Sequence, residues 1–123
     1  MVMNIEEVRT YCLSKLGVTE CLPFDEDTLV FKVGGKMFAL LALDESPSSI
    51  NLKCEPNLAT ELRESHTAIR PGYHMNKKHW NTITLDESLS DMLVCQLIDH
   101  SYALVVERLP ARLKKELSCP PQK

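Results

Sequence analysis

The sequence predicts an α+β fold, a two-layer sandwich in which an antiparallel sheet carries helices packed on one face. Three observations predict it: strand-like segments follow one another, helical patterns bracket them, and Gly34-Gly35 joins two strands. The chain has 123 residues, 44% hydrophobic and 25% charged, so it is most simply one domain. We expect that domain to span residues 1–117 and residues 118–123 to form a frayed tail.

A first helix is predicted over residues 5–16. Asn4 and Glu7 have the spacing of a capping box, and apolar residues then recur at helical intervals. Gly17 suits the end of this helix. Residues 18–27 contain Pro23 and three consecutive acids, so they predict a turn-like connection.

Three antiparallel strands are predicted next. Residues 28–33 are mostly β-branched or apolar, and Gly34-Gly35 is a strong two-residue hairpin signal. The returning strand, residues 36–43, is almost continuously apolar and is expected to be central in the sheet. Residues 50–54 alternate and predict a third strand.

A short helix and a further strand follow. Pro56 suits the first turn of a helix over residues 56–64. Pro71-Gly72 fits the two central positions of a type II turn. Residues 80–85 alternate in part and predict a strand.

The C-terminal part of the chain is predicted to be helical. Ser88, with Asp91 three residues on, is expected to cap a long helix that reaches about residue 108. Its broad apolar face would lie across the sheet. Pro110 ends this helix, and residues 111–117 predict a final short helix.

Composition excludes several classes of protein. The 14 basic and 17 acidic residues give a net charge of −3, which argues against indiscriminate binding to nucleic acid. The five Cys residues include no C-x-x-C pair, so we expect reduced thiols and a cytoplasmic location. No N-terminal signal run is present and no apolar run is long enough to span a bilayer, so no membrane contact is predicted.

One stretch is locally basic. Residues 65–85 contain no acid but include Arg70, Lys77 and Lys78, within the sequence AIRPGYHMNKKHW that also holds Trp80. A basic segment that carries aromatic residues, in an acidic protein, is a candidate binding surface.

The motifs PGYHMNKKHW, NTITLDES and LIDHSYALV, with their mutual spacing, resemble the MmcQ/YjbR family of small bacterial proteins. The segments VFKVGGKMFAL and INLKCEP agree more loosely, so the resemblance covers about residues 4–110. It implies a frataxin-like (CyaY-like) fold. It also implies DNA binding through a double-wing arrangement of hairpins and loops, and no enzymatic activity.

Two functional hypotheses and a structural one remain open. Seven residues are candidates for contact with nucleic acid: Lys32, Lys36, Lys53, Arg70, Tyr73, Lys77 and Lys78. They would make weak phosphate-backbone contacts through the Gly34-Gly35 hairpin wing and the Arg70–Trp80 loop. Alternatively, the Arg70–Trp80 loop docks a partner protein as an interaction or regulatory module, with Tyr73 and Trp80 as its anchors. In the structural hypothesis the loop only holds its own shape, through Pro71, Gly72, His74, Asn76 and Trp80.

No cofactor, metal or catalytic residue is predicted. His74 and His79 lie in a loop without a nearby Cys or carboxylate, unlike structural zinc sites. Helix capping explains Glu6 and Glu7, although frataxins bind iron through acids on their first helix. Cys95 is expected near the buried face of the long helix, where a thiol stays protonated. We expect a non-enzymatic monomer that contacts DNA or a protein.

Overall fold

The computed structural model describes residues 4–23, 26–44, 47–72, 75–86 and 88–118. Within these ranges the chain forms four helices and six strands. In chain order they are α1 (Ile5–Leu13), β1 (Val18–Cys21), β2 (Thr28–Val33), β3 (Lys36–Ala42), β4 (Ser49–Lys53), α2 (Pro56–Ser65), β5 (Ile69–Pro71), β6 (Trp80–Thr84), α3 (Asp91–Glu107) and α4 (Ala111–Ser118). The strands form one antiparallel sheet in the order β1-β2-β3-β4-β6-β5. The predicted α+β fold class is confirmed.

The main core lies between the sheet and the helices. Apolar side chains from all four helices pack against the strand residues that point to this face, such as Phe31, Leu52 and Ile83. Cross-strand pairing sets these residues side by side, because alternate residues of a strand share a face. α3 crosses β3 and β4 at the centre of the sheet, as its broad apolar pattern predicts.

The opposite face of the sheet carries a smaller apolar cluster. Val30, Leu40 and Trp80 are its buried members, and Met37 and Met75 pack against them. Trp80 therefore belongs to the interior of the protein, but on the face away from the helices.

Several local predictions are confirmed. Asn4 and Glu7 form the capping box, with each side chain accepting from the other residue's backbone N–H. Gly34 and Gly35 have φ values of 59° and 80°, which the type I′ hairpin turn requires. Pro56 occupies the first turn of α2. The predicted strands end within a residue or so of those observed, and the short final helix is present.

The predicted turn over residues 18–27 is wrong in its first part, because Val18–Cys21 is strand β1 at the edge of the sheet. Its register with β2 aligns Val18 with Val33 and Cys21 with Val30. Pairing with a strong neighbouring strand decides the conformation of a segment that has little strand pattern of its own.

The predicted type II turn at Pro71-Gly72 is also wrong. Pro71 is the last residue of edge strand β5, a position that proline tolerates. Gly72 is not among the glycines with positive φ, which the third position of a type II turn requires. Gly72 is needed for another reason: a Cβ there would lie 2.8 Å from Cβ of Trp80 and 3.0 Å from its carbonyl oxygen.

Three helix boundaries also differ from the predictions. α1 ends at Leu13 rather than at residue 16. α3 is capped by Ser90, whose hydroxyl accepts from the Leu93 N–H, and not by Ser88. Ser88 bonds Asp86 instead, through both its hydroxyl and its backbone N–H. α4 extends to Ser118, and residues 119–123 of the predicted tail lie outside the described residues.

Candidate nucleic-acid interface

The sequence Asp99-His100-Ser101-Tyr102 on α3 ties this helix to its surroundings. Asp99 accepts a 2.7 Å hydrogen bond from the Tyr11 hydroxyl and pairs with Lys15. The Lys15 ammonium lies 5.0 Å from the ring centroid of Tyr11 and 5.4 Å from that of Tyr102. The Tyr102 hydroxyl donates to the Leu16 carbonyl at 2.6 Å. These contacts lock α3 onto α1 and the turn that follows it.

Ser101 and His100 fix the same helix to the sheet and to α2. The Ser101 hydroxyl accepts from the Lys53 N–H at 2.9 Å and donates to the Phe38 carbonyl at 2.5 Å. This hydroxyl thereby bridges β3 and β4. It does so at Phe38, where the register between β2 and β3 shifts by one residue, as in a β-bulge. His100 Nε2 accepts from the Glu55 N–H at the start of α2. This motif therefore has a complete structural explanation.

The connection between β5 and β6 is held by its own backbone. The Gly72 N–H donates to the Trp80 carbonyl at 2.8 Å. Asn76 accepts from the Trp80 N–H through its carbonyl and from the Lys78 N–H through its side chain. The His79 carbonyl accepts from the Cys54 N–H, which joins this connection to the end of β4. Gly72, Asn76 and Trp80, which were predicted to hold this loop in shape, thus all take part in hydrogen bonds within the connection.

Arg63 on α2 adds a second restraint that the sequence did not indicate. Its Nε donates to the Asn81 side-chain oxygen at 2.7 Å, and its guanidinium also contacts the carbonyls of Lys77 and Trp80. The two adjacent lysines at 77 and 78 therefore project from a braced backbone. Both are exposed.

Strand direction gathers basic residues at one end of the sheet. This end contains the last residues of β2 and, after the Gly34-Gly35 turn, the first residues of β3. β4 ends beside them, and β6 begins there at Trp80, which pairs with Lys53. We call this the basic end and define it by Lys32, Lys36, Lys53, Lys77, Lys78 and Arg108. Neighbouring strands lie about 4.8 Å apart, so the backbones that carry Lys32, Lys36 and Lys53 are close together at this end, although Lys32 and Lys36 point to opposite faces of the sheet.

The charges of Lys36, Lys53 and Arg108 act on one another. Burial lowers the pKa of the Lys53 ammonium below its ordinary value, and the nearby charges of Arg108 and Lys36 lower it further. Arg108 is exposed at the C-terminal cap of α3 and was not among the predicted site residues. No sequence pattern links it to residues 36 and 53, because only the fold brings the end of α3 to the hairpin.

The ion pairs found among the described residues are Arg9–Glu20 and Lys15–Asp99. None of the basic-end side chains takes part in them. The Glu55 carboxylate lies close in sequence to Lys53 but caps α2, accepting from the N–H groups of Asn57 and Leu58. Within the described residues, the positive charge at this end is therefore not neutralised by an ion pair.

α4 borders the basic end and adds to its charge. Leu109, just before α4, approaches Gly34, and Leu117 near its end approaches Gly17. Between them, Arg112 and Lys115 are exposed basic residues. Because Gly34 packs against Leu109, the hairpin tip rests on the body of the protein.

The other end of the sheet is acidic. Four exposed acids lie where β2 begins or where β3 and β6 end: Glu26, Asp27, Asp44 and Asp86. We call this the acidic end. Although the net charge is only −3, basic and acidic residues are thus concentrated at opposite ends of the strands.

Five of the seven predicted contact residues lie at the basic end: Lys32, Lys36, Lys53, Lys77 and Lys78. Arg70 is exposed on edge strand β5, but its guanidinium bonds the Thr84 hydroxyl, towards the acidic end. Tyr73 and His74 lie outside the described residues. Trp80, proposed as an anchor for a partner, is only 9% exposed.

The described part of the chain offers little for other chemistry. No group of three or more His, Cys, Asp or Glu side chains within it is placed to hold a metal ion. Burial raises the pKa of the Cys12 thiol to about 12 and that of Cys54 to about 11, so both are protonated at neutral pH. None of the helices in the described ranges combines the length and the apolar character needed to cross a membrane.

Fold and surface together define a small α+β sandwich protein with a charge-polarised sheet. Comparison with known proteins then identifies its family. The YjbR family model matches residues 13–104. The YjbR protein of Escherichia coli strain K12 is 37% identical over 115 residues, which cover 94% of this chain and 98% of that protein. The chain belongs to the YjbR family.

Other relatives agree with this assignment. The YbdF protein of Escherichia coli O157:H7 is 40% identical over 97 residues, covering 79% of this chain and 80% of that protein. A crystal structure from Deinococcus radiodurans is 38% identical and has a TM-score of 0.90, with 97% of this chain and 91% of that chain covered. A crystal structure from Pseudomonas syringae is 30% identical, with a TM-score of 0.73, covering 83% of this chain and 98% of that one.

Proposed function

We propose that this protein binds the phosphate backbone of DNA weakly through the basic end and performs no catalysis. The observation that carries the proposal is the clustering of basic residues at the basic end, where β2, β3 and β4 meet the start of β6. Clustered positive charges can contact several phosphates of a nucleic-acid strand, and binding releases condensed counterions. The acidic end, on the far side of the sheet, would orient the protein so that the basic end meets the DNA.

Base recognition would contribute little. Trp80 is buried, so it is not available to stack on a base. The hairpin tip consists of two glycines, which have no side chains that could reach base edges, and it rests on Leu109. The double-wing arrangement would therefore act here as a flat phosphate-contacting edge rather than as a wing inserted into a groove.

A salt titration of DNA binding tests the proposal. We expect the logarithm of the binding constant to fall linearly with the logarithm of salt concentration, by about 0.9 for each phosphate contacted. Lys77→Glu combined with Lys78→Glu, and separately Lys36→Glu combined with Arg108→Glu, should weaken binding and make this slope shallower by about 1–2. Changing the base sequence of the duplex should change affinity little.

Arg70→Glu is the matched control, because it reverses an exposed charge that lies outside the basic end. It should affect affinity and salt slope much less than any basic-end variant. Equal affinity and slope for wild type and both double variants would refute the proposal. In that case the protein-interaction hypothesis would be preferred, although the burial of Trp80 leaves that residue unsuited as an anchor.

A further inference from the structure

We propose that edge strand β1 pairs with β1 of a second copy of this chain, so that the two sheets join into one. The two edges of the sheet differ in their ability to accept another strand. β5 ends in Pro71, which has no N–H to donate to a further strand. β1 contains no proline, and within the described residues it pairs only with β2. Its outer edge is therefore the one suited to strand addition.

Exposed apolar side chains flank β1. Among the described residues the large hydrophobic side chains that remain exposed are Leu16 (49%), Leu22 (50%) and Met92 (70%). Leu16 lies just before β1 and Leu22 just after it. Exposure of two leucines on either side of one edge strand is what an interface, rather than a solvated edge, would show.

The positions of these leucines suit an antiparallel pairing of identical strands. If two copies of β1 pair around a two-fold axis at Thr19, residues equally far before and after this position face each other. The end of β1 that Leu22 follows in one copy then lies beside the end that Leu16 precedes in the other, and this arrangement occurs twice. Leu16 itself lies in the turn before Gly17 (φ 75°), so it borders the paired strands rather than belonging to their register.

The charge on this edge does not oppose the pairing. A charged residue on an edge strand normally discourages a second strand, and β1 carries Glu20. Here the Arg9 guanidinium holds the Glu20 carboxylate in a two-bond pair, at 2.7 and 2.5 Å, which also lowers the pKa of Glu20. The negative charge is thus matched within its own copy.

Charge complementarity supports the second copy as the occupant. A two-fold axis at β1 reverses the orientation of one sheet relative to the other along the strand direction. The basic end of each copy then lies beside the acidic end of the other, an arrangement that favours association and sets its orientation. Since β1 has only four residues, the interface is small and the dimer is expected to be transient.

Analytical ultracentrifugation without DNA tests this proposal independently of the proposed function. At low salt the weight-average mass should rise from 13.9 kDa towards twice that value as protein concentration increases, and high salt should reverse the rise. Leu22→Lys should keep the mass at the monomer value. Met92→Lys, the same substitution at an exposed apolar side chain on α3, should behave like wild type. Circular dichroism would confirm that both variants are folded.

Cross-linking supplies a second test of the register. Thr19→Cys would place two thiols across the two-fold axis, where Cα atoms of paired strands are about 4.5–5.5 Å apart, within the range for a disulfide. Because the chain already has five Cys residues, wild type is the baseline: oxidation with diamide should yield more covalent dimer for Thr19→Cys than for wild type, whereas Met92→Cys should not exceed the wild-type amount. A wild-type mass that stays at 13.9 kDa at every concentration, or equal loss of the dimer in Leu22→Lys and Met92→Lys, would overturn the proposal.

Discussion

At the scale of single residues, the side chains that identify the family are mostly scaffold. Asp99, Ser101 and Tyr102 each bond a different element, and Gly72 is held against Trp80. The sequence pattern marked these positions correctly as special, but it did not indicate whether they bind a ligand or hold the fold. Only the contact partners decide this, and they lie up to 88 residues away along the chain.

Ser101→Ala should destabilise the protein by about 2 kcal/mol. The hydroxyl satisfies both the Lys53 N–H and the Phe38 carbonyl, and alanine would leave these two groups without it. Urea unfolding followed by circular dichroism measures the free energy of unfolding. Ser14→Ala, which removes an exposed hydroxyl bonded to one carbonyl, should change that free energy by less than about 0.5 kcal/mol. Equal effects of the two substitutions would contradict the bridging role.

At the scale of elements, the strands and helices with a clear hydrophobic period were predictable, whereas the edge strands β1 and β5 were not. The hairpin, the central strands and the long helix have clear periodicity, and the structure contains them where expected. β1 and β5 were missed because Val18–Cys21 and Ile69–Pro71 have little strand pattern of their own and depend on pairing with β2 and β6. The type II turn was predicted from proline and glycine alone, whereas Gly72 serves a close packing contact.

Gly72→Ala should loosen the β5–β6 connection and destabilise the protein by about 2 kcal/mol. The added Cβ would meet Trp80 at 2.8 Å, so this connection must shift. Trp80 is the only tryptophan, and its fluorescence emission should move to longer wavelength as its side chain becomes more exposed. Gly35→Ala is the control: its Cβ would meet nothing within 4 Å, but its φ of 80° costs about 1–2 kcal/mol. Unchanged emission in Gly72→Ala would show that the contact is unimportant.

At the scale of the whole molecule, the separation of charge was only partly predictable. The sequence pointed to Lys36, Lys53, Lys77 and Lys78, and strand direction places these at one end. It could not show that α3 delivers Arg108 to the same end, because helix length and crossing angle set that position. Nor could it show the acidic end, since its residues come from three connections distant in sequence. The candidate site is therefore a property of topology more than of any motif.

Lys53→Met should stabilise the folded protein and weaken DNA binding together. The pKa of Lys53 is lowered by burial and by Arg108 and Lys36, so keeping the ammonium charged costs stability at neutral pH, and methionine should add about 0.5–1 kcal/mol. The folded-state pKa lies below the ordinary 10.5. The gain over wild type should therefore shrink as pH rises through the folded-state value towards 10.5.

Loss of one phosphate contact should reduce the salt slope of DNA binding by about 0.9. Lys15→Met, which removes the pair with the half-exposed Asp99, should instead destabilise by about 0.5–1 kcal/mol and leave DNA binding unchanged. A Lys53→Met variant that loses stability and binds DNA like wild type would contradict both the electrostatic strain and the assigned contact.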